Sequence, residues 1–219
     1  MRMRGQAMVE CIVVFPVLIL LAAGIVQAGL LYHAQATLDN ATLRAARAGA
    51  VAHGAYASLR DGLARGLAPM FATKTGQAAA QRALDAAAIE VGDSALTSVS
   101  IVNPTEDAFR DFARRDDYVG KTTLEIPNDT LMYRDPRPGS RSGMSIQDAN
   151  LLKIRVTYCY DMVVPAINQV FYQAVRLLDG RSENRCVAHA KPTGQWRFPL
   201  TSEATVRMQT PFRLDAPAG

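Results

Sequence analysis

The chain has 219 residues, of which 49% are hydrophobic and 20% are charged, and this composition excludes a globally disordered protein. Its length suits one domain with an anchor, or two small domains. The formal net charge is +4 with the basic residues spread along the chain, which argues against a nucleic-acid-binding protein, whose Lys and Arg would cluster on one face.

The first thirty residues combine a basic start with a long apolar run. Arg2 and Arg4 precede residues 11–31, which carry no charge and in which Gln27 is the only strongly polar side chain. A helix over this run is about 31 Å long, enough to cross a bilayer core. The basic start places the N-terminus in the cytoplasm and the following residues in the periplasm, as a single-pass protein of the inner membrane. Representative residues of this predicted membrane helix are Cys11, Phe15, Pro16 and Leu31.

Two kinds of segment begin in this way. A secretory signal peptide has the same basic start, and Ala34 and Ala36 imitate the small residues of its cleavage site. The apolar run is long for a signal, however. Glu10 stands at the membrane entry, where a carboxylate is costly unless a partner neutralises it. Both features favour an anchor in which Glu10 makes an assembly contact.

The spacing from Gly5 to Glu10 is the most specific feature of the N-terminus. A cut after Gly5 makes Gln6 the first residue and Glu10 the fifth. This resembles the type IV prepilin processing site, which has a short basic leader, a glycine, and a glutamate at the fifth mature position of an apolar helix. The resemblance implies cleavage by a prepilin peptidase that recognises Arg4, Gly5 and Gln6. The new α-amino group of Gln6 can then pair with Glu10 of a neighbouring subunit in a low-dielectric medium.

A longer stretch narrows the family. Residues 4–10 read Arg-Gly-Gln-Ala-Met-Val-Glu, residues 14–18 read Val-Phe-Pro-Val-Leu, and residues 43–50 read Leu-Arg-Ala-Ala-Arg-Ala-Gly-Ala. Together these resemble the opening of TadE-like pseudopilins of the tight-adherence (Tad, Flp) pilus system. The resemblance implies a pilin-like fold and a minor pilin needed to assemble a Tad (Flp, type IVc) pilus. It also implies three partners besides the peptidase: another pseudopilin, the major pilin and the inner-membrane assembly platform.

Beyond the membrane, the N-terminal helix is predicted to continue to residue 68, with Pro69 ending it. Small and apolar residues recur along this continuation at helical spacing, namely Leu31, Ala34, Leu38, Ala41, Ala45, Ala48 and Ala52. Packing within the subunit's own domain and packing against other subunits explain this stripe equally well. The predicted organisation is a leader over 1–5, a transmembrane helix over 6–32, a periplasmic continuation over 33–68 and a periplasmic domain over 69–219.

The periplasmic domain is predicted to be α+β, with an antiparallel sheet and short helices. Helices are expected over residues 77–91, 104–114 and 165–178, the second with Asn103 as its N-cap and Pro104 at its first position. Strands are expected over residues 98–102, 122–126, 151–160, 186–190 and 203–212, and a loop over 136–143. The strongest strand is 151–160, whose apolar residues alternate.

No catalytic, cofactor or metal site is predicted. His33, His53 and His189 lack metal-ligand spacing, and motifs for a nucleophilic serine or a phosphate-binding loop are not found. Cys159 and Cys186 form no Cys-x-x-Cys motif, and we predict that they make a structural disulfide in the oxidising periplasm.

Two other interpretations of the chain stay open from the sequence. One is an uncleaved, membrane-anchored periplasmic scaffold or binding protein, in which the spacing of Gly5 and Glu10 is a coincidence. The other is an exported enzyme cut near Ala36, which would have a soluble mature form.

Overall fold

The computed structural model describes residues 4–72, 75–115, 123–165, 167–178, 186 and 196–214. Its helices are α1 (Arg4–Ala50), α2 (Tyr56–Leu67), α3 (Gln77–Gly92), α4 (Glu106–Phe112), α5 (Ile146–Ala149) and α6 (Ile167–Leu178). Its strands are β1 (Thr97–Asn103), β2 (Arg114–Arg115), β3 (Leu124–Glu125), β4 (Leu151–Asp161) and β5 (Arg197–Arg207). Short 3-10 helices span Ala68–Phe71 and Leu131–Tyr133. The predicted α+β class, a long apolar helix followed by an antiparallel sheet and short helices, is confirmed.

The chain divides into two compact units. The first unit contains Met1–Ala34 and Cys159–Pro199, and the second contains Gln35–Tyr158 and Leu200–Gly219. The domain organisation predicted from the sequence, with one periplasmic domain over 69–219, stays a prediction. Helix α1 and strands β4 and β5 contribute residues to both units.

A three-stranded sheet with the order β1-β4-β5 forms the second unit's framework. β1 and β4 are antiparallel, with Thr97 opposite Tyr158 and Ile101 opposite Ile154. Every second residue of β4 is apolar and buried, as the predicted alternation requires; these are Leu152, Ile154, Val156 and Tyr158. β2 and β3 form a separate antiparallel pair, and Ile126 makes an isolated bridge to Phe212.

Helix α1 ends at Ala50, so the prediction of one helix to residue 68 is wrong. The chain turns through His53 and Gly54, which have φ angles of 60° and 81°, and α2 then begins at Tyr56. The C-terminal segment stabilises this end, because the backbone N–H groups of Gln209 and Thr210 donate to the Ala50 carbonyl at 3.0 and 3.2 Å. These tertiary bonds satisfy a carbonyl that a continuing helix would have used.

The start of α4 also differs from the prediction. Its N-cap is Thr105, whose hydroxyl accepts a hydrogen bond from the Ala108 N–H at 3.1 Å. The predicted cap, Asn103, instead donates its side-chain amide to the Asp148 carbonyl at 2.8 Å. Asn103 therefore ties β1 to α5, and the helix begins two residues beyond Pro104, at Glu106.

Three predicted strands are shorter or placed differently. The strand predicted over 122–126 is a strand only at Leu124–Glu125, followed by the isolated bridge at Ile126. Thr122 lies outside the described residues. Cys186 is helical, so a strand does not begin there, and 187–190 lie outside the described part of the chain. The closing strand runs from Arg197 to Arg207, earlier than the predicted 203–212. Helix α6 begins at Ile167, two residues after the predicted start, and the 136–143 segment is a loop as expected.

Candidate functional site

The N-terminal half of α1 exposes apolar side chains on all sides. Those with large exposed fractions are Ile12, Val13, Val14, Phe15, Val17, Leu18, Ile19, Leu20, Leu21, Ile25 and Val26. Phe15, for example, is 65% exposed. A helix that is apolar all round belongs in a protein core or a membrane, and the residues that the structure describes do not cover this half of α1. Among the described residues, α1 is the one helix long and apolar enough to cross a membrane.

The residues predicted for processing lie in the first turns of this helix. Arg4, Gly5 and Gln6 are helical, and Gln6 and Glu10 are four residues apart, so they lie on one face of α1. Glu10 and Cys11 are exposed. Pro16 lies inside the helix, which continues past it to Ala50. Leu31, at the other end of the predicted span, is buried.

Gln27 lies in the part of α1 that belongs to the first unit. Its side chain is completely buried, and its Oε1 accepts a hydrogen bond from the Val164 N–H at 3.0 Å. Its Nε2 has no hydrogen-bond partner within the described residues. The sequence flagged Gln27 only as the polar exception in an apolar run, and its contact with the 159–199 segment could not be read from spacing.

A protein-family model matches most of helix α1. Residues 5–47 match the family model described as TadE-like protein, which is 43 of the 219 residues. Residues 5–47 are a TadE-like segment. No curated protein and no solved structure matches the chain. TadE-like proteins are structural pilus components and not an enzyme family, and this chain is similar to them over residues 5–47.

The second half of the TadE-like segment packs inside the second unit. Leu38, Ala41 and Ala45 are fully buried, and α2 crosses them through two glycines. A Cβ atom on Gly66 would lie 2.4 Å from the Ala41 Cα, and one on Gly62 would lie 2.9 Å from the Ala45 Cα. Along residues 35–50 the small-residue stripe is therefore used by the chain's own fold, which decides between the two explanations left open by the sequence.

Residues near the C-terminus of the chain fix the end of helix α1. The Thr210 hydroxyl donates to the Ala50 carbonyl at 3.2 Å and accepts from the His53 N–H at 2.9 Å. His53 Nδ1 lies 2.8 Å from the Pro211 carbonyl oxygen. His53, which the sequence left without a role, therefore joins the turn after α1 to residues 210–213.

The rest of the first unit is built around aromatic side chains and a disulfide. Met162 and Tyr172 are buried, with Tyr160, Phe171, Trp196 and Phe198 packed against them. The rings of Tyr172 and Trp196 meet edge to face at 4.8 Å between centroids. Cys159 and Cys186 are joined by a disulfide, which links β4 to a helical residue and not to a strand.

Arg197 and Asp161 are two charged residues of this unit that interact with each other next to the disulfide. Arg197 is buried, and its Nη1 donates to the Cys159 carbonyl at 3.0 Å. Burial raises the pKa of the Asp161 carboxyl, and the positive charge of Arg197 opposes part of that rise. Burial is also the main reason that the pKa of Tyr160 is raised.

The described residues do not bring three or more His, Cys, Asp or Glu side chains together as a metal site. His189 lies outside the described residues. Two acidic residues of α4 have different partners in the structure. Arg110 pairs with Glu106 on the helix surface, whereas Asp111 accepts from the backbone N–H groups of Ser142 and Arg141 at 2.8 and 3.1 Å. Asp111 therefore holds the 139–143 loop.

Proposed function

We propose that this protein is a minor pilin, or pseudopilin, required to assemble a Tad (Flp, type IVc) pilus. The observation that carries the proposal is the coincidence of two features in one helix. The TadE-like segment covers residues 5–47, and its first half is the exposed apolar surface described above. An apolar helix can leave water either by crossing a bilayer or by packing with other helices in a fibre.

Processing after Gly5 is part of the proposal. A peptidase that reads an extended backbone must unwind the first turns of α1, and glycine favours this because it stabilises a helix poorly. Cleavage gives Gln6 a free α-amino group. In a low-dielectric environment this amine pairs with Glu10 of a neighbouring subunit and sets the register between the two helices.

The proposed location follows from the same segment. Before assembly, α1 crosses the inner membrane once, with the basic leader in the cytoplasm and the bulk of the chain in the periplasm. The proposed partners are the prepilin peptidase, another pseudopilin, the major pilin and the inner-membrane assembly platform. The disulfide between Cys159 and Cys186 suits the oxidising periplasm.

N-terminal sequencing of the membrane-extracted protein, with and without an active prepilin peptidase, tests the processing step. We expect a peptidase-dependent start at Gln6, with the formal charge falling from +4 to +2 because Arg2 and Arg4 leave. A Gly5→Leu variant should stay uncleaved, whereas the matched Gly24→Ala variant, whose Cβ meets no atom within 4 Å, should be cleaved normally. A start at Met1 in the wild type would favour the uncleaved scaffold, and a start near Thr37 would identify a signal peptide.

The assembly role of Glu10 needs a separate test. We expect Glu10→Ala to be cleaved like the wild type but to lose pilus formation in a strain that lacks the chromosomal copy. Asp39→Ala is the matched control, because Asp39 is an exposed acid on the same helix beyond the predicted membrane span. Normal pilus formation by Glu10→Ala would contradict the proposed registration contact.

A further inference from the structure

Helix α6 carries apolar residues along one side, and the first unit covers only some of them. Ile167 and Tyr172 are buried in the unit. Val170 and Leu177 are seven residues apart, which places them on one line along the helix, and they are 62% and 84% exposed. Val163, in the segment that leads to α6, is 71% exposed. One edge of the apolar stripe therefore packs within the unit, and the other edge faces outward.

The attachment of this region to α1 fixes its level relative to a bilayer. If Glu10 marks one edge of a hydrocarbon core about 30 Å thick, the other edge lies about 20 residues along the helix, near Leu30. Gln27 lies about 5 Å before that edge at 1.5 Å per residue. The segment that carries Val163 and precedes α6 contacts α1 at this level, through the hydrogen bond from Val164 to Gln27. The start of the segment therefore lies about 5 Å inside that edge, which is within the depth of about 5–10 Å to which interfacial amphipathic helices bury their apolar side.

The first unit also contains side chains of the kinds that are favoured at membrane surfaces. The only tryptophan of the chain, Trp196, belongs to the aromatic group around Met162, and Tyr32 of α1 is 79% exposed. Tryptophan and tyrosine are enriched at the headgroup level, where an apolar ring and a polar tip are both accommodated. The exposed side of α6 also carries Gln169 and Gln173, amides that can contact headgroups and water.

We propose that α6 rests on the periplasmic surface of the bilayer that α1 crosses, with Val163, Val170 and Leu177 in contact with lipid. An amphipathic helix lying in the interface buries its apolar edge at the boundary between headgroups and acyl chains. The occupant of this surface is lipid because the hydrogen bond at Gln27 holds the region at the membrane boundary. The inference rests on the proposed crossing of the membrane by α1.

Site-directed spin labelling of the full chain in phosphatidylcholine nanodiscs tests the contact. Labels are attached to Val170→Cys or Leu177→Cys in a Cys11→Ser background, so that each protein variant carries a single free thiol for labelling. Ile89→Cys is the matched control, because Ile89 is an exposed apolar helical residue of the second unit. Leu18→Cys reports the membrane crossing itself.

We expect the ratio of oxygen to nickel-chelate accessibility at positions 170 and 177 to exceed that at position 89 several-fold, and to approach that at position 18. Water-like ratios at 170 and 177 with a lipid-like ratio at 18 would overturn this inference alone. A water-like ratio at 18 would overturn the membrane crossing. Labels at 170 and 177 shielded from both reagents would show a protein partner on this surface and would also overturn the inference.

The unsubstituted chain provides a second measurement if a cysteine variant fails to fold. In nanodiscs that contain a photoactivatable phospholipid, we expect lipid insertion in peptides covering residues 163–178 and none in peptides covering Gln77–Gly92. Equal labelling of the two regions, or labelling of neither, would contradict the proposed contact. The fluorescence maximum of the single tryptophan, compared with that of the wild type, checks the fold of each labelled variant.

Discussion

Replacing Gly66 by alanine tests how closely helix α2 approaches the TadE-like segment. A Cβ atom at this position would lie 2.4 Å from the Ala41 Cα and 2.5 Å from its Cβ. Carbon atoms in good contact are about 3.5–4.0 Å apart, so the two helices would have to separate by about 1 Å. Leu59, Leu63 and Leu67 of α2 are completely buried, and separation would loosen their packing as well.

Two opposing effects determine how much stability Gly66→Ala should lose. Overpacking of a close helix contact costs about 1–3 kcal/mol, and replacing a helical glycine by alanine returns about 0.5–1 kcal/mol. When the middle of each range is taken, the net loss of stability for Gly66→Ala is about 1 kcal/mol, a factor of about 5 in the population of open states. Gly92→Ala is the matched control because Gly92 is also helical and its Cβ would meet no atom within 4 Å.

Hydrogen–deuterium exchange of the full chain in nanodiscs measures this difference. Amides of Tyr56–Leu67 should exchange about 5 times faster in Gly66→Ala than in the wild type, if exchange follows the open population. The same amides in Gly92→Ala should exchange at the wild-type rate or more slowly. Equal exchange in the two variants would refute the close approach of α2 to Ala41.

Three further predictions concern the disulfide and the carboxyl groups. Replacing Cys159 and Cys186, which are 27 positions apart, with serine should cost about 3 kcal/mol by loop entropy and lower the midpoint of tryptophan-detected thermal unfolding. The Ser142 N–H lowers the pKa of Asp111, so its contribution to stability should be present above the unfolded pKa and be lost as the pH falls through the folded pKa. Acid-induced amide exchange in the 139–143 loop measures this loss, and Asp111→Ala should abolish its pH dependence. Burial raises the pKa of Asp161, so its contribution should be lost as the pH rises through the folded pKa; Asp161→Asn should remove that loss in pH-dependent unfolding.

Local patterns predicted much of the secondary structure. The alternation of Leu152, Ile154 and Val156 identified β4, because a strand buried on one face requires a period of two. The seven-residue recurrence of small residues likewise identified the buried side of α1 beyond the membrane run. Both predictions rested on side-chain periodicity, which depends on the element alone and not on its neighbours.

The predictions that were wrong depended on contacts between distant residues. Ala50 ends α1 because Gln209 and Thr210 donate to its carbonyl, and α4 begins after Thr105 because Asn103 is held by Asp148. Each contact joins residues tens to more than a hundred positions apart. Local propensity cannot reveal such a contact, since the stabilising partner is absent from the segment.

The amino-acid sequence by itself determined the TadE-like character of the first helix, because the basic start, the apolar run and the spacing from Gly5 to Glu10 are local properties of residues 2–31. Only the tertiary structure decided how the rest of that helix is used. It assigned Ala41 and Ala45 to contacts with α2, and it placed Gln27 against the segment that leads to α6. The physical reason is that an apolar stripe specifies what must be covered, whereas the covering surface depends on which distant segments the fold brings to it.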